Sequence, residues 1–252
     1  MIEFKNLSLK IGESNILNHL CGEIPKGKIT VILGANGAGK SSLLKCIASI
    51  IKPNIGEIYI DKTPIFEIKP NERARKIGFL EQNGDIHWDV NVSTLVEMGC
   101  LVNDNHTQSN SEAIYDALTI TDTLHLKDKV ASKLSGGEKS RVLLARVLAG
   151  KPEYILADEP LAALDPAHQL DTLANFRDIA ARGVGIAIVL HDLTYAARIA
   201  DEVIMMKNGI IIQKGKANDV LTPQIIEETY GVKVKITESD NGFKIITPFS
   251  RI

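Results

Sequence analysis

A glycine-rich loop between an apolar run and a helical segment constrains this chain more than any other feature. The run KITVILG (28–34) is continuous and β-branched, and GANGAGKSS then leads into the helical pattern SSLLKCIASI. A loop of the form G-x-x-x-x-G-K-[S/T] between a strand and a helix is a phosphate-binding loop, or P-loop. The three segments together predict an α/β fold built around a nucleotide site.

Two later runs support a parallel sheet. YILADEP (154–160) and GIAIVLHD (185–192) are continuous apolar runs that end in polar residues. Such strands are typical of a parallel sheet covered on both faces, and a helix near 166–182 would supply the crossover. We therefore expect a mixed core sheet with an antiparallel β subdomain, and we predict further strands over 2–11, 16–24, 55–61 and 76–82.

The middle of the chain is predicted to be a helical insertion. VSTLVEMG (92–99) and EAIYDALTI (112–120) have helical spacing. The polar stretch NDNHTQSNS (103–111) between them reads as a loop.

The C-terminal part reads as two hairpins around a short helix. Asn208-Gly209 between apolar runs is a strong turn signal, while Thr222 and Pro223 suit a helix start and Gly231 its end. The predicted organisation is one domain, with a RecA-like core and antiparallel β subdomain (1–82 and 135–231), a helical subdomain (about 83–134) and a C-terminal hairpin (232–252).

Composition argues against several classes of protein. The 252 residues carry a net charge of -2, which disfavours binding to duplex nucleic acid by phosphate neutralisation. No apolar run approaches the roughly 18–20 residues of a membrane span, and the start MIEFKNLSLK lacks a signal-peptide core. The 3 cysteines have no CxxC spacing and the 6 histidines no H-x-x-x-H pattern, so we expect unpaired thiols and no histidine-built metal site.

The P-loop and the end of YILADE supply residues for phosphate chemistry. Backbone N–H groups at the loop glycines would wrap the phosphates, Lys40 would neutralise their charge, and the Ser41 hydroxyl is placed for Mg²⁺. Asp158 stands where a carboxylate that holds Mg²⁺ usually lies, and Glu159 is the candidate base for an attacking water. Adjacent acids at a strand end are often merely solvated, but the P-loop favours the catalytic interpretation.

A second candidate anion site opens with LSGGE at 134–138. Ser135 and Glu138 fit the Ser-x-x-Glu pattern of a capping box, which explains the helix start. The pattern does not explain Gly136 and Gly137, whose open backbone would suit a phosphate at the helix N-terminus. One chain thus carries two anion-binding helix starts.

With LSGGE, the sequence resembles the ATP-binding cassette (ABC) family, of which this motif is the signature. Six motifs occur in the family's order over nearly the whole chain: GANGAGKS, Gln82 in FLEQN, LSGGE, LADEP, LAALD and His191 in VLHDL. The resemblance implies a P-loop NTPase fold of the ABC cassette type, with ATP hydrolysis and Mg²⁺. It also implies that two cassettes pair head to tail, so that the signature of one binds ATP held by the P-loop of the other.

The resemblance also assigns roles to individual residues. Gln82 would contact Mg²⁺ and the attacking water, His191 would contact the γ-phosphate, and Asp165 would lie at the dimer interface. Without the other motifs, the simpler interpretations are that Gln82 is a loop amide, that His191 is a histidine at a strand end, and that Asp165 is an N-cap. The implied catalytic residues are Lys40, Gln82, Glu159 and His191, and the implied Mg²⁺ ligands are Ser41, Gln82 and Asp158. The implied ATP contacts are Ile11, Gly34, Asn36, Gly37, Ala38, Gly39, Lys40, Ser41, Ser42, Ser135, Gly136, Gly137, Glu138 and Asp165.

Two positions depart from the family pattern. The family usually has an aromatic residue, most often Tyr, where Ile11 stands, and that residue stacks on adenine. Aliphatic packing on a purine is weaker than aromatic stacking, which is worth ~1–3 kcal/mol per base. The resemblance therefore implies looser ATP affinity and less selectivity against GTP than in a relative with Tyr. The family also often has Arg where Cys100 stands, within the stretch IHWDVNVSTLVEMGC that would face a permease.

Finer resemblance indicates an importer subunit. LAALDPAHQLDTL and LTPQIIEETYGVKVKI look like the ATPases of importers for iron-siderophores, haem and cobalamin. The implied partners are a second copy, integral-membrane permease subunits and, indirectly, a substrate-binding protein, with no nucleic acid. The implied location is peripheral, on the cytoplasmic face of the bacterial inner (plasma) membrane, and the three cargoes are not separated. A soluble ABC ATPase of iron–sulfur cluster assembly is the alternative. A non-catalytic regulatory cassette is disfavoured because the catalytic motifs are all present.

Overall fold

The computed structural model describes residues 1–82, 84, 86, 89–102, 108–239 and 242–252. A six-stranded sheet forms its centre, with five parallel strands and one antiparallel strand at an edge. In spatial order the strands are β10 (Ile210–Lys216), β9 (Glu202–Lys207), β3 (Ile29–Gly34), β8 (Gly185–Val189), β7 (Tyr154–Asp158) and β6 (Ile77–Leu80).

The central strands are almost entirely apolar because both faces of the sheet are covered. Every residue of β3, β7 and β8 is buried. Alternate residues of β3 enter different core clusters, with Val31 and Leu33 on one side and Ile32 on the other. The first cluster lies under α5 (Gly136–Ala149), α6 (Pro166–Ala181) and α7 (Leu193–Ile199), and the second contains buried residues of α1 (Lys40–Ile47).

A four-stranded antiparallel sheet packs over α1. Phe4, Leu20 and Leu43 share the cluster that contains Ile32, so this sheet, α1 and the central sheet form successive layers. A short helix, α2 (Pro70–Lys76), precedes β6. In spatial order the strands are β2 (Ser14–Ile24), β1 (Ile2–Ile11), β4 (Ile55–Ile60) and β5 (Thr63–Pro64).

The helical insertion contains α3 (Val92–Glu97) and α4 (Gln108–Ile120). The predicted loop over 103–111 is wrong for 108–111, which form the first turn of α4, while 103–107 lie outside the described residues. Polar residues are tolerated in a first turn, because its N–H groups have no intrahelical acceptor. Ala113 and Ala117 then bury the helix against its neighbours.

Helix α5 joins the insertion to the core. It contributes Val142 and Ala145 to the helical cluster, and Leu143 and Leu144 to the cluster beneath the central sheet. Two adjacent faces of one helix are therefore buried in two different cores, and the helix carries the LSGGE segment at its N-terminus.

The C-terminal elements follow the predicted order. Asn208-Gly209 forms the turn between β9 and β10, Thr222 caps α9 (Pro223–Tyr230), and Gly231 ends that helix in the left-handed region. After α8 (Ala217–Val220) and α9, the hairpin of β11 (Val232–Glu238) and β12 (Lys244–Arg251) packs on the core through buried Val234 and Ile246. Among the described elements, none is a helix with the length and apolarity needed to cross a membrane.

Candidate nucleotide site

The candidate site lies where parallel strands end at one edge of the sheet. The P-loop follows β3, Glu159 follows β7, and His191 comes two residues after β8. Strands that run parallel bring their carboxyl ends to the same edge, so residues distant in sequence meet there. They enclose a cleft of about 470 Å³, lined by Ile16, Asn36, Gly37, Ala38, Gly39, Lys40, Ser41, Ser42, Gln82, Glu159 and His191.

The P-loop turns sharply into α1 at Gly39. This residue has φ of 96°, and a Cβ there would lie 2.8 Å from Leu17 Cδ2 and 2.9 Å from the Ile16 carbonyl oxygen. Only glycine can adopt this φ without strain and also avoid these contacts, because it has no Cβ. No side chain caps the N-terminus of α1, so its free N–H groups are available to an anion.

Lys40 is folded back onto the loop. Its Nζ donates to the carbonyl oxygens of Gly34 at 2.7 Å and Ala35 at 3.1 Å, and the residue is buried. Burial lowers the pKa of the Lys40 ammonium, and the nearby carboxylates of Glu159 and Asp158 oppose that shift. The two carbonyl oxygens that accept from the Lys40 ammonium are neutral, and phosphate oxygens would bind the ammonium more strongly.

Ser41 and Asp158 form an oxygen pair suited to a hard cation. The Ser41 hydroxyl donates to Asp158 Oδ1 at 3.0 Å, and Asp158 is buried. Burial raises the pKa of Asp158, the neighbouring Glu159 adds to the rise, and the Ser41 hydrogen bond opposes it. A buried carboxylate beside a hydroxyl fits Mg²⁺, which prefers oxygen ligands and would offset the cost of burying the charge.

Glu159 is held by two side chains of the cleft. Gln82 Nε2 donates to Glu159 Oε2, and His191 Nε2 contacts Glu159 Oε1. The Glu159 backbone is left-handed, with φ of 51°. A non-glycine residue in this region is uncommon and clusters at functional sites, where surrounding contacts hold it in place. Both carboxylate oxygens therefore point to defined partners, one an amide and the other an imidazole.

The LSGGE segment forms the predicted capping box. Glu138 N donates to Ser135 Oγ at 3.3 Å, and Ser135 N donates to Glu138 Oε2 at 2.9 Å. A Cβ at Gly136 would find its nearest neighbour at 3.8 Å, and one at Gly137 at 3.5 Å, which is ordinary contact. Packing within the chain therefore does not require either glycine, and none of residues 135–138 lines the cleft.

Asp165 and Ile11, two of the predicted ATP contacts, both lie outside the cleft. Asp165 caps α6, accepting from His168 N at 2.9 Å and pairing with His168 Nδ1 at 2.7 Å. Ile11 is 53% exposed and does not line the cleft, whereas Ile16 on β2 does. Nothing in the sequence pattern identifies Ile16, because its place depends on how closely β2 approaches Gly39.

The predicted residues thus fall into two groups. Most of the P-loop set and the Gln82, Glu159 and His191 set share one cleft, and Asp158 reaches it through Ser41. The LSGGE residues and Asp165 lie outside that cleft. Sequence reasoning also missed Tyr230, whose hydroxyl accepts a hydrogen bond from Gly34 N at 2.8 Å.

Comparison with known proteins identifies relatives over nearly the whole length of the chain. The profile of the ABC transporter family matches residues 17–162. The hemin import ATP-binding protein HmuV of Rhizobium meliloti is 34% identical over 94% of both chains. The ferric enterobactin transport ATP-binding protein FepC of Escherichia coli is 33% identical over 98% of this chain and 93% of its own. A dimeric ATP-binding cassette in a post-hydrolysis state, bound to ADP and Pi, superimposes with a TM-score of 0.79 at 27% identity, covering 86% of this chain and 99% of its own.

We expect Glu138→Gln to lower stability at neutral pH and to lose that effect in acid. The bond from Ser135 N is the main cause that lowers the pKa of Glu138 from 4.5 to about 2, with a further contribution from Lys129. A carboxyl group whose pKa is lower in the folded state than in the unfolded state stabilises the fold at any pH above its unfolded-state pKa. This contribution is lost as the pH falls through the folded-state pKa. Chemical denaturation should show that the variant's free energy of unfolding at pH 7 is about 1 kcal/mol below that of the wild type. The difference should become smaller below pH 4.5.

The control is Glu112→Gln, which removes an exposed charge from α4. It should leave the free energy of unfolding nearly unchanged. A Glu138→Gln deficit that is constant from neutral to acid pH would contradict the charged capping box.

Proposed function

Because this chain is an ATPase of the ABC transporter family, we propose that it energises the import of an iron-siderophore, haem or cobalamin across a bacterial inner membrane, from the cytoplasmic face. The observation that carries the proposal is the cleft that gathers the P-loop, Gln82, Glu159 and His191. The named activities of the relatives, hemin import and ferric enterobactin transport, support the class of cargo.

ATP is proposed to bind with its phosphates in the P-loop. Gly37, Gly39 and the uncapped N-terminus of α1 line the cleft, and backbone N–H groups in such a loop suit a polyanion. Lys40 would exchange the Gly34 and Ala35 carbonyls for phosphate oxygens, which are stronger partners for an ammonium. Ser41, Asp158 and Gln82 would hold Mg²⁺, which neutralises phosphate charge when bound.

Hydrolysis is proposed to use Glu159 as the base that polarises the attacking water. Its carboxylate lies in the cleft and is oriented by Gln82 and His191 at separate oxygens. A base held in this way keeps its orientation without searching rotamers, which favours proton acceptance at a fixed place. His191 is close enough to Glu159 to steady it and lines the same cleft, where a γ-phosphate would lie.

The LSGGE segment is proposed to bind the ATP of a second copy. Its helix start has two glycines that its own chain does not need, and it lies outside its own cleft. A second copy placed head to tail would bring this N-terminus to the γ-phosphate held by the other P-loop, with Asp165 at the interface. Two helix N-termini and Lys40 would then share one polyanion, so that ATP joins the two copies and hydrolysis releases them.

The proposed partners are integral-membrane permease subunits, to which a substrate-binding protein delivers cargo. The docking region proposed from the sequence lies near Gln82 and includes 86–100, of which 87–88 lie outside the described residues. Cys100 is buried and its Sγ donates to the Ala149 carbonyl oxygen at 3.4 Å, which supports a packing role for this position. The import names of the relatives favour this function over iron–sulfur cluster assembly.

Glu159→Gln should bind ATP, fail to hydrolyse it and accumulate as a dimer. The amide keeps the shape of the side chain but cannot accept a proton, so turnover should fall by about 10²- to 10⁴-fold. Phosphate release and sedimentation with ATP measure the two effects. Glu153→Gln, one residue before the start of β7, is the matched control and should retain turnover. Normal turnover in Glu159→Gln would exclude Glu159 as the base, and an ATP-loaded monomer would count against the shared site.

The tagged chain should co-purify with a polytopic membrane protein from detergent-solubilised native membranes. The proposed permease contact predicts this result, and mass spectrometry identifies the partner. The same purification from cells with the untagged chain is the control. Recovery of a soluble partner alone, with none of the chain on the membrane, would overturn the importer proposal in favour of the assembly alternative.

A further inference from the structure

The last residue of β3 has backbone groups that the sheet does not satisfy. β8 ends at Val189, opposite Ile32, so β3 continues two residues beyond its neighbour on that side. The Ile32 carbonyl oxygen accepts from Leu190 N at 3.3 Å. Because backbone groups alternate sides along a strand, Gly34 faces the same side as Ile32, and β8, which ends at Val189, does not extend far enough on that side to accept its N–H.

Tyr230 supplies the missing acceptor. Its hydroxyl oxygen accepts from Gly34 N at 2.8 Å, across 196 positions of sequence. The carbonyl of the same residue accepts from Lys40 Nζ at 2.7 Å. Gly34 has φ of 152°, and a Cβ there would lie 2.2 Å from the Met206 carbonyl oxygen. The first residue of the P-loop is therefore held by Tyr230 and by its close approach to β9, and Lys40 also contacts it.

Tyr230 is itself held in place. It is the last residue of α9, which Gly231 ends with φ of 67°. Lys207 Nζ donates to the Glu228 carbonyl oxygen, which ties the end of α9 to the end of β9. Burial raises the pKa of the Tyr230 phenol to about 12, while the Gly34 hydrogen bond opposes that shift. The hydroxyl is thus neutral at physiological pH and is brought to Gly34 by a fixed helix end.

We propose that Tyr230 is a positioning residue for nucleotide binding: its hydroxyl sets the conformation in which the P-loop leaves β3 and receives phosphates. The inference rests on the proposed ATP site. The loop amides contact phosphates in the ground state and in the transition state alike, so a misplaced loop weakens both by the same amount. The loss of an interaction that is equally strong in the ground state and in the transition state raises KM and leaves kcat unchanged.

Tyr230→Phe removes the hydroxyl and keeps the ring. ATPase assays on the purified full chain should show KM for ATP raised about five- to tenfold, with kcat within about twofold of wild type. Tyr154→Phe is the matched control. Tyr154 is buried at the start of β7, away from the cleft, with its hydroxyl 3.5 Å from Asp61 Oδ1, and its loss should leave KM unchanged.

An unchanged KM in Tyr230→Phe, or a fall in kcat alone, would overturn the inference. Equal KM increases in both variants would also overturn it, because a general loss of stability would then explain the effect. A wild-type chain without ATPase activity would instead count against the proposed function.

Exchange of the Gly34 amide proton, measured by NMR on the wild-type chain labelled with ¹⁵N-glycine, tests the contact without a variant. The inference predicts that this amide is protected, and rapid exchange would contradict it even if Tyr230→Phe does not fold.

Discussion

The way β3 ends at Gly34 is the constraint on which the nucleotide site depends. The strand is buried on both faces and lies between β9 and β8, so its direction is fixed by the sheet. Beyond its last residue the backbone must turn within a few residues into α1, whose N-terminus carries no side-chain cap. The start of α1 therefore presents N–H groups without a side-chain cap on a rigid support, which is the arrangement that binds phosphate with little reorganisation.

Packing of helix α5 fixes the position of the second candidate anion site. Its residues enter two hydrophobic clusters, one under the central sheet and one in the helical insertion. The LSGGE helix start is thus fixed to a core that also contains Val31 and Leu33 of β3, yet none of residues 135–138 lines the cleft of its own chain. A capping box satisfies the helix start locally, and the two glycines leave its surface open. Both helix starts are available to the proposed shared site, because α1 has no side-chain cap and a Cβ at Gly136 or Gly137 would make only ordinary contacts.

The sequence predicted those features that depend on local pattern. The P-loop, the buried strands, the capping box and the Asn208-Gly209 turn each follow from residue type and spacing. The polar residues of the first turn of α4 predict a loop, and packing further along the helix overrides that preference. Ile16 and Tyr230 could not be predicted, since each reaches the site through tertiary approach of a distant element rather than through a motif.

The most direct test of the shared site is complementation between two inactive chains. Lys40→Ala disables the P-loop, and Gly137→Asp places a negative charge at the signature, where a Cβ has room. Each variant alone should release almost no phosphate. In an equal mixture, half of the dimers combine both chains and regain one complete site of two, so activity should recover to about one quarter of wild type. No recovery in mixtures that form heterodimers would contradict a site built from two copies.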